Sequence, residues 1–177
     1  MVPFGFERGP FSAKRTFLMH AARIGNVARL RWLIARGARL ELKDWIGQTA
    51  LLWASRKGRV ETVQELLARG AKSDAAMNVG ATPLYIASQN NHLEVVRELL
   101  ARGAAVDAAK NTGSTPLFIA SQNNHLEVVR ELLAHGASPS TTANSDATAL
   151  SSATASGHAA VAALIRAALA RARRSRA

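Results

Sequence analysis

The sixteen residues IASQNNHLEVVRELLA occur twice without a change, at Ile86 to Ala101 and at Ile119 to Ala134, 33 positions apart. Copying at this period constrains the fold more than any other feature of the chain. A supersecondary unit of about 33 residues cannot bury its apolar face alone, so it must stack on a neighbour. The register runs well past the quoted copy. GATPLYIASQNNHLEVVRELLARGA from Gly80 and GSTPLFIASQNNHLEVVRELLAHGA from Gly113 differ only at Ala81/Ser114, Tyr85/Phe118 and Arg102/His135. GQTALLWASRKGRVETVQELLARGA from Gly47 keeps the frame, and weaker copies begin at Thr16 and Asp146.

Each unit has a local physical reading. Thr82 and Thr115 precede Pro83 and Pro116, an order in which a hydroxyl caps a helix and proline takes the first helical position, where its missing N–H costs nothing. The short helix so started ends at Asn90-Asn91 and Asn123-Asn124. HLEVVRELLARG then predicts a second helix with Leu93, Val96, Leu99 and Leu100 on one face, stopped by Gly103 and Gly136 as the glycines that follow a helix C-cap. The ten residues AAVDAAKNTG suit a tight extended hairpin leading to the next capped helix.

T-P-L followed by alanine, then a turn, H-L-E-V-V, L-L and G-A resembles the ankyrin-repeat pattern, and the resemblance spans Thr16 to Ala170. It implies an all-α solenoid of helix-turn-helix units joined by β-hairpin loops. Units are expected at about 16–43, 44–76, 77–109, 110–142 and 143–170, between an N-terminal extension, 1–15, and an Arg-rich tail, 171–177. The pattern is broken at Ala50 and Ala149, where proline is missing, and at Asp146, which replaces the hairpin glycine. The histidine that often follows T-P-L in the family reads here as Leu52, Tyr85, Phe118 and Ser151, so apolar packing is expected to take over from that hydrogen-bond network. The near-identity of two units reads as duplication preserving a stacking interface.

A solenoid must also make its outermost faces polar. Arg166 replaces the second leucine of the L-L pair and no glycine stops the last helix, which is expected to run on into ALARARRSRA as a cap. Trp32 stands where later units have Glu65 and Glu98, with Phe4, Phe6, Phe11 and Phe17 upstream. The N-terminal segment is expected to fold back over the first unit, with a disordered arm as the alternative. The chain has no cysteine, which removes disulfides, thiolate catalysis and cysteine-based zinc sites. Pro3, Glu7, Arg8 and Pro10 break up the opening, and no apolar stretch approaches membrane-spanning length. A cytoplasmic or nuclear monomer with no membrane contact is the expectation.

Catalytic constellations are not legible, and neither an enzyme nor a cofactor or metal is expected. His92, His125 and His158 recur at one place in successive units, but helices stacked about 8 to 10 Å apart cannot share one ion with ligands at about 2.1 Å. A structural role at the start of the second helix is expected. GAKS at Gly70 to Ser73 ends like a phosphate-binding loop, yet Ala71 stands where that motif needs glycine. Glu61, Glu65, Glu94, Glu98, Glu127 and Glu131 read as a solvated helix face, with Glu94–Arg97 and Glu127–Arg130 as local pairs worth a few tenths of a kcal/mol.

What remains is surface. The resemblance implies that partners are gripped by hairpin tips and the exposed end of the first helix. At those positions stand Arg23 and Ile24 in the first unit, and Trp45, Ile46, Gln48, Arg56 and Lys57 in the second. The third offers Asn78, Val79, Ala81, Gln89 and Asn90, and the fourth Asn111, Thr112, Ser114, Gln122 and Asn123. This concave face grades from basic and aromatic to neutral and polar. Tryptophan beside arginine is hot-spot composition, the alternative being that Trp45 packs against the next hairpin. The net charge of +11 divides as +6 over 1–45, +1 over 46–142 and +4 over 143–177. A scaffold for a protein partner with an acidic surface is the first reading. Binding of nucleic acid or another polyanion through the basic ends and Arg171, Arg173, Arg174 and Arg176 is the second, weakened by a tail with no aromatic residue to stack bases.

Overall fold

The computed structural model describes residues 16–174. A threonine recurs every 33 residues, at Thr16, Thr49, Thr82, Thr115 and Thr148, and each starts a short helix. Its hydroxyl accepts from the backbone N–H three residues on, at 3.1 to 3.4 Å, which satisfies one donor that the first turn leaves without a partner. The helices so capped are α1 (Phe17–Ile24), α3 (Ala50–Arg56), α5 (Pro83–Gln89), α7 (Pro116–Gln122) and α9 (Ala149–Ala155). Each is followed by a residue in the left-handed region, Gly25, Gly58, Asn91, Asn124 or Gly157, and the chain reverses into α2 (Val27–Ala35), α4 (Val60–Ala68), α6 (Leu93–Ala101), α8 (Leu126–Ala134) and α10 (Ala159–Arg174).

The ten helices form two layers. First helices pack on first helices from α1 to α9, and second helices on second helices from α2 to α10. The core lies between the layers, where Leu30, Leu51, Val63, Leu66, Leu84, Val96, Leu99, Leu117, Val129, Leu132 and Ile165 are inaccessible to solvent or nearly so. Burial of such side chains stabilises by about 1.5 to 3 kcal/mol each. A second cluster of Leu52, Ala81, Tyr85, Ile86 and Ile119 lies among the first helices and the loops before them. It occupies the place expected for apolar packing in the absence of the family histidine.

The loops before the first helices are hairpin-shaped but too short to be strands. Each closes through two backbone bonds, one from Asp44 N to Gln48 O, Met77 N to Ala81 O, Lys110 N to Ser114 O or Ala143 N to Ala147 O, at 2.9 to 3.0 Å, and one across the turn to the carbonyl of Asp44, Met77, Lys110 or Ala143, at 2.8 to 3.0 Å. Among the described residues the only ladder pairing is an isolated antiparallel bridge between Thr142 and Thr148. Neighbouring hairpins are joined tip to tip. The backbone N–H groups of Asn78, Asn111 and Asn144 donate to the carbonyls of Ile46, Val79 and Thr112 at 3.0 to 3.1 Å. Their side-chain amides donate to Trp45, Asn78 and Asn111 carbonyls at 3.1 to 3.3 Å.

This contact explains the hairpin glycine. Gly80 has φ 79°, a conformation L side chains rarely adopt, and a Cβ there would meet the Asn111 side-chain oxygen and lie 2.9 Å from its backbone nitrogen. In the last unit Asp146 takes the same turn at φ 58°. Among the described residues no further hairpin stacks on it, so a side chain is sterically permitted there.

At the C-terminal end Ile165 is buried, Arg166 is exposed, and α10 continues to Arg174, as the cap expectation requires. At the N-terminal end Trp32 is 53 % exposed, with the Arg36 guanidinium 3.8 Å above its ring. The expected folding of the segment 1–15 over the first unit lies outside the described residues.

Candidate functional site

The hairpin of the second unit is built around a buried carboxylate. Asp44 is 5 % exposed. Its oxygens accept from the Ile46 N–H at 3.1 Å, the Gln48 N–H at 2.8 Å, the Gln48 side-chain amide at 3.4 Å and the indole Nε1 of Trp53 at 3.2 Å. A buried charge needs such a set of donors. The same network turns Trp45 outward. Its carbonyl is held by Asn78, while the residue as a whole is 63 % exposed, so the alternative of Trp45 packed against the next hairpin does not hold.

Trp53 continues the construction. Its indole is buried, and the Arg56 guanidinium lies 5.9 Å from the ring centroid. Arg56 Nη2 sits 3.8 Å from the Met77 sulfur and its Nε is buried with no hydrogen-bond partner. Arg56 is thus a half-buried cation clamped between the second unit's helix and the third unit's hairpin. A cleft of about 340 Å³ is lined by Trp53 together with Phe17, His20, Arg23 and Arg29 among others. Lys57 is exposed and Arg23 half-buried. Arg23, Arg56 and Lys57 have no carboxylate partner among the described residues.

Not every expected contact residue is free. Gln48 is 1 % exposed because it is consumed by Asp44, Ala81 is buried in the apolar cluster of the first helices, and Ser114 is buried with its hydroxyl 3.5 Å from that of Tyr85. All three immediately precede the capping threonine, where the chain turns inward. Asn78 and Asn111 are exposed but spend their amides on the tip-to-tip bonds. Asn90 donates to the carbonyl of Ile86 at 2.7 Å, and Asn123 to that of Gln89 at 3.1 Å. Val79, Thr112, Gln89, Gln122 and Ile24 are exposed, and Ile46 is half-buried. The roles of Asp44, Trp53, Met77 and Asn144 have no local sequence signature; the recurrence of Asn78, Asn111 and Asn144 at 33-residue spacing is the one signal the sequence carries for the tip-to-tip bonds.

The layer of second helices handles charge in the opposite way. Arg31 reaches Glu65 of the next unit at 2.8 Å, Gln64 reaches Glu98 at 3.1 Å and Arg97 reaches Glu131 at 3.0 Å. Arg69, Arg102 and Arg130 also pair with glutamates. This is more than the solvated face with local pairs that the sequence predicted, since Glu65, Glu98 and Glu131 each join two units. The Arg31 hydrogen bond, aided by the charges of Arg31 and Arg69 and opposed by desolvation, holds the Glu65 carboxyl below its ordinary value. Loop acids are likewise committed between units: Glu41, Asp74 and Asp107 accept from the N–H groups of Lys72, Ala105 and Ser138 at 2.9 to 3.1 Å.

His92, His125 and His158 serve the stack. Each ring bonds a carbonyl at the end of the preceding unit's first helix, at 3.0 to 3.1 Å. Among the described residues no cluster of three histidines or acids is placed to hold a metal, and no helix is long and apolar enough to cross a membrane. Arg171, Arg173 and Arg174 are exposed on the last turn of α10, where cations offset the helix dipole; Arg176 lies outside the described residues. A family model described as ankyrin repeats, three copies, matches residues 5–77, 72–143 and 108–172. No curated protein matches the chain.

Proposed function

The chain belongs to the ankyrin-repeat family, whose members are generally protein–protein interaction modules, and on that premise we propose that it is a non-catalytic scaffold. It grips a protein partner with the face made by its hairpin tips and first-helix ends. The observation that carries this reading is Trp45, a large apolar side chain 63 % exposed on a hairpin whose backbone is fixed by Asp44 and Asn78. Exposed aromatic anchors on a rigid support, next to arginine, are what binding hot spots are made of. Rigidity matters because little side-chain and loop entropy is then lost on binding.

The test is capture of partners from nuclease-treated lysate by the immobilised protein, followed by affinity measurement on the captured partner. Trp45→Ala should weaken binding by about 2 kcal/mol or more and leave the denaturation midpoint unchanged. Truncation after Ala170 should leave binding intact. A silent Trp45→Ala together with a lethal truncation overturns the scaffold reading in favour of polyanion binding through the tail, which would show the steep salt dependence of phosphate contacts.

A further inference from the structure

Arg23, Arg56, Gln89 and Gln122 form one column, each 33 residues from the next, at the ends of α1, α3, α5 and α7. No acidic residue occurs in α1, α3, α5, α7 or α9, the helices that carry and flank the column. Asp44, the acid nearest in sequence to Arg56 on the hairpins, is saturated by four donors. In the opposite layer Arg31, Arg69, Arg97, Arg102 and Arg130 pair with glutamates, whereas among the described residues Arg23 and Arg56 have no carboxylate partner. Arg56 is moreover half-buried, with an unpartnered Nε, and it is held in place by Trp53 and Met77. A guanidinium fixed in that way, with no counter-charge among the described residues, is complementary to a carboxylate.

Spacing sets the form of the ligand. Stacked helices lie about 8 to 10 Å apart, and an extended segment in the polyproline II conformation rises about 3.1 Å per residue with three residues per turn, so one unit corresponds to about three residues and every third side chain returns to the same face. Building on the scaffold reading, we propose that this column binds an extended acidic segment of the partner, running along the stack, with two carboxylates three residues apart on Arg23 and Arg56. Beyond them the segment meets the amides of Gln89 and Gln122, which accept and donate to its backbone or to neutral polar side chains.

The test uses two synthetic peptides of about twelve residues and one composition, the first with two glutamates three positions apart and the second with the two glutamates adjacent. Oligothymidylate of equal charge serves as the nucleic-acid probe. The spaced peptide should bind about tenfold more tightly than the adjacent one, and Arg23→Gln or Arg56→Gln should each remove that advantage. Glutamine is already the residue of the third and fourth units at this place, so these variants keep a side chain the stack accepts. Arg56→Glu should abolish binding of the spaced peptide, and replacing one of its glutamates with lysine should restore it. Equal affinity for the two peptides, failure to bind either at millimolar concentration, or tighter oligothymidylate binding that ignores both substitutions overturns the proposal. If any of these occurs while Trp45→Ala still releases the captured partner, the scaffold reading stands and only the acidic column falls.

Discussion

The ring Nε2 of His92 lies 3.0 Å from the backbone carbonyl oxygen of Arg56, 36 positions earlier in the chain. A carbonyl oxygen only accepts, so Nε2 carries the hydrogen. The carbonyl is one of those left without an intrahelical partner at the end of α3, and the next unit supplies the donor. His125 does the same for Gln89 and His158 for Gln122, while Arg59 Nε reaches the carbonyl of Arg23 at 3.4 Å. The backbone that presents the column of Arg23, Arg56, Gln89 and Gln122 is therefore pinned by the neighbouring unit at every step.

His92→Ala should destabilise the protein by about 1 kcal/mol, the usual net worth of such a bond. His125→Ala should cost less, because the Asn123 side chain also donates to the Gln89 carbonyl, at 3.1 Å. Urea denaturation of the two variants compares them directly. Equal losses would mean that the carbonyl bond is not what the ring contributes.

Gly80→Ala combines an unfavourable φ of 79° with a Cβ driven into Asn111, and should destabilise by about 1 kcal/mol or more. Asp146→Gly, at the equivalent turn of the last unit, should be neutral or slightly stabilising, since Asp146 holds φ 58°. Thermal midpoints of the pair separate the two effects. A tolerated Gly80→Ala would show that the hairpin contact gives way without penalty.

The bond from Arg31 keeps the Glu65 carboxyl below its ordinary value, so the folded chain holds that proton less readily than the unfolded one. The resulting stability is complete above the unfolded carboxyl value of about 4.3 and is lost as the pH falls through the lower folded value. Arg31 is 60 % exposed, which screens the pair and limits it to a few tenths of a kcal/mol. Glu65→Gln should thus lower the urea midpoint slightly near neutral pH and be indistinguishable from the parent at about pH 2. A deficit that persists there would point to packing rather than charge.

The last unit should open first. α9 buries Ala149 and Ala153 and α10 buries Val161, Ala162 and Ile165, whereas α5 and α6 bury Leu84, Tyr85, Ile86, Val95, Val96, Leu99 and Leu100. Less apolar area means less local stability. Amides of residues 149–174 are expected to exchange fastest among the helices, and finding them the most protected would contradict this.

The helical stack is legible in the residues alone, because the rules that build it are local and repeated. Thr-Pro at a helix start, Asn-Asn at the turn and Gly103 or Gly136 at the end act over a few residues, and the period of 33 forces the units to pile up. The structural role of His92 followed from the same period. Which loop residues are exposed depends on tertiary contacts. Trp45 and Gln48 share one hairpin, yet Trp45 stands out and Gln48 is buried, because the donors around Asp44 include Trp53 on the following helix. Arg31 and Arg56 look alike in sequence, but Arg31 finds Glu65 while Arg56 finds Trp53 and Met77. In each case packing decides: Glu65 is 34 residues from Arg31 and Met77 is 21 from Arg56, each on the neighbouring unit, and even the bond from Trp53 to Asp44, nine residues apart, forms only once the hairpin folds against its helix.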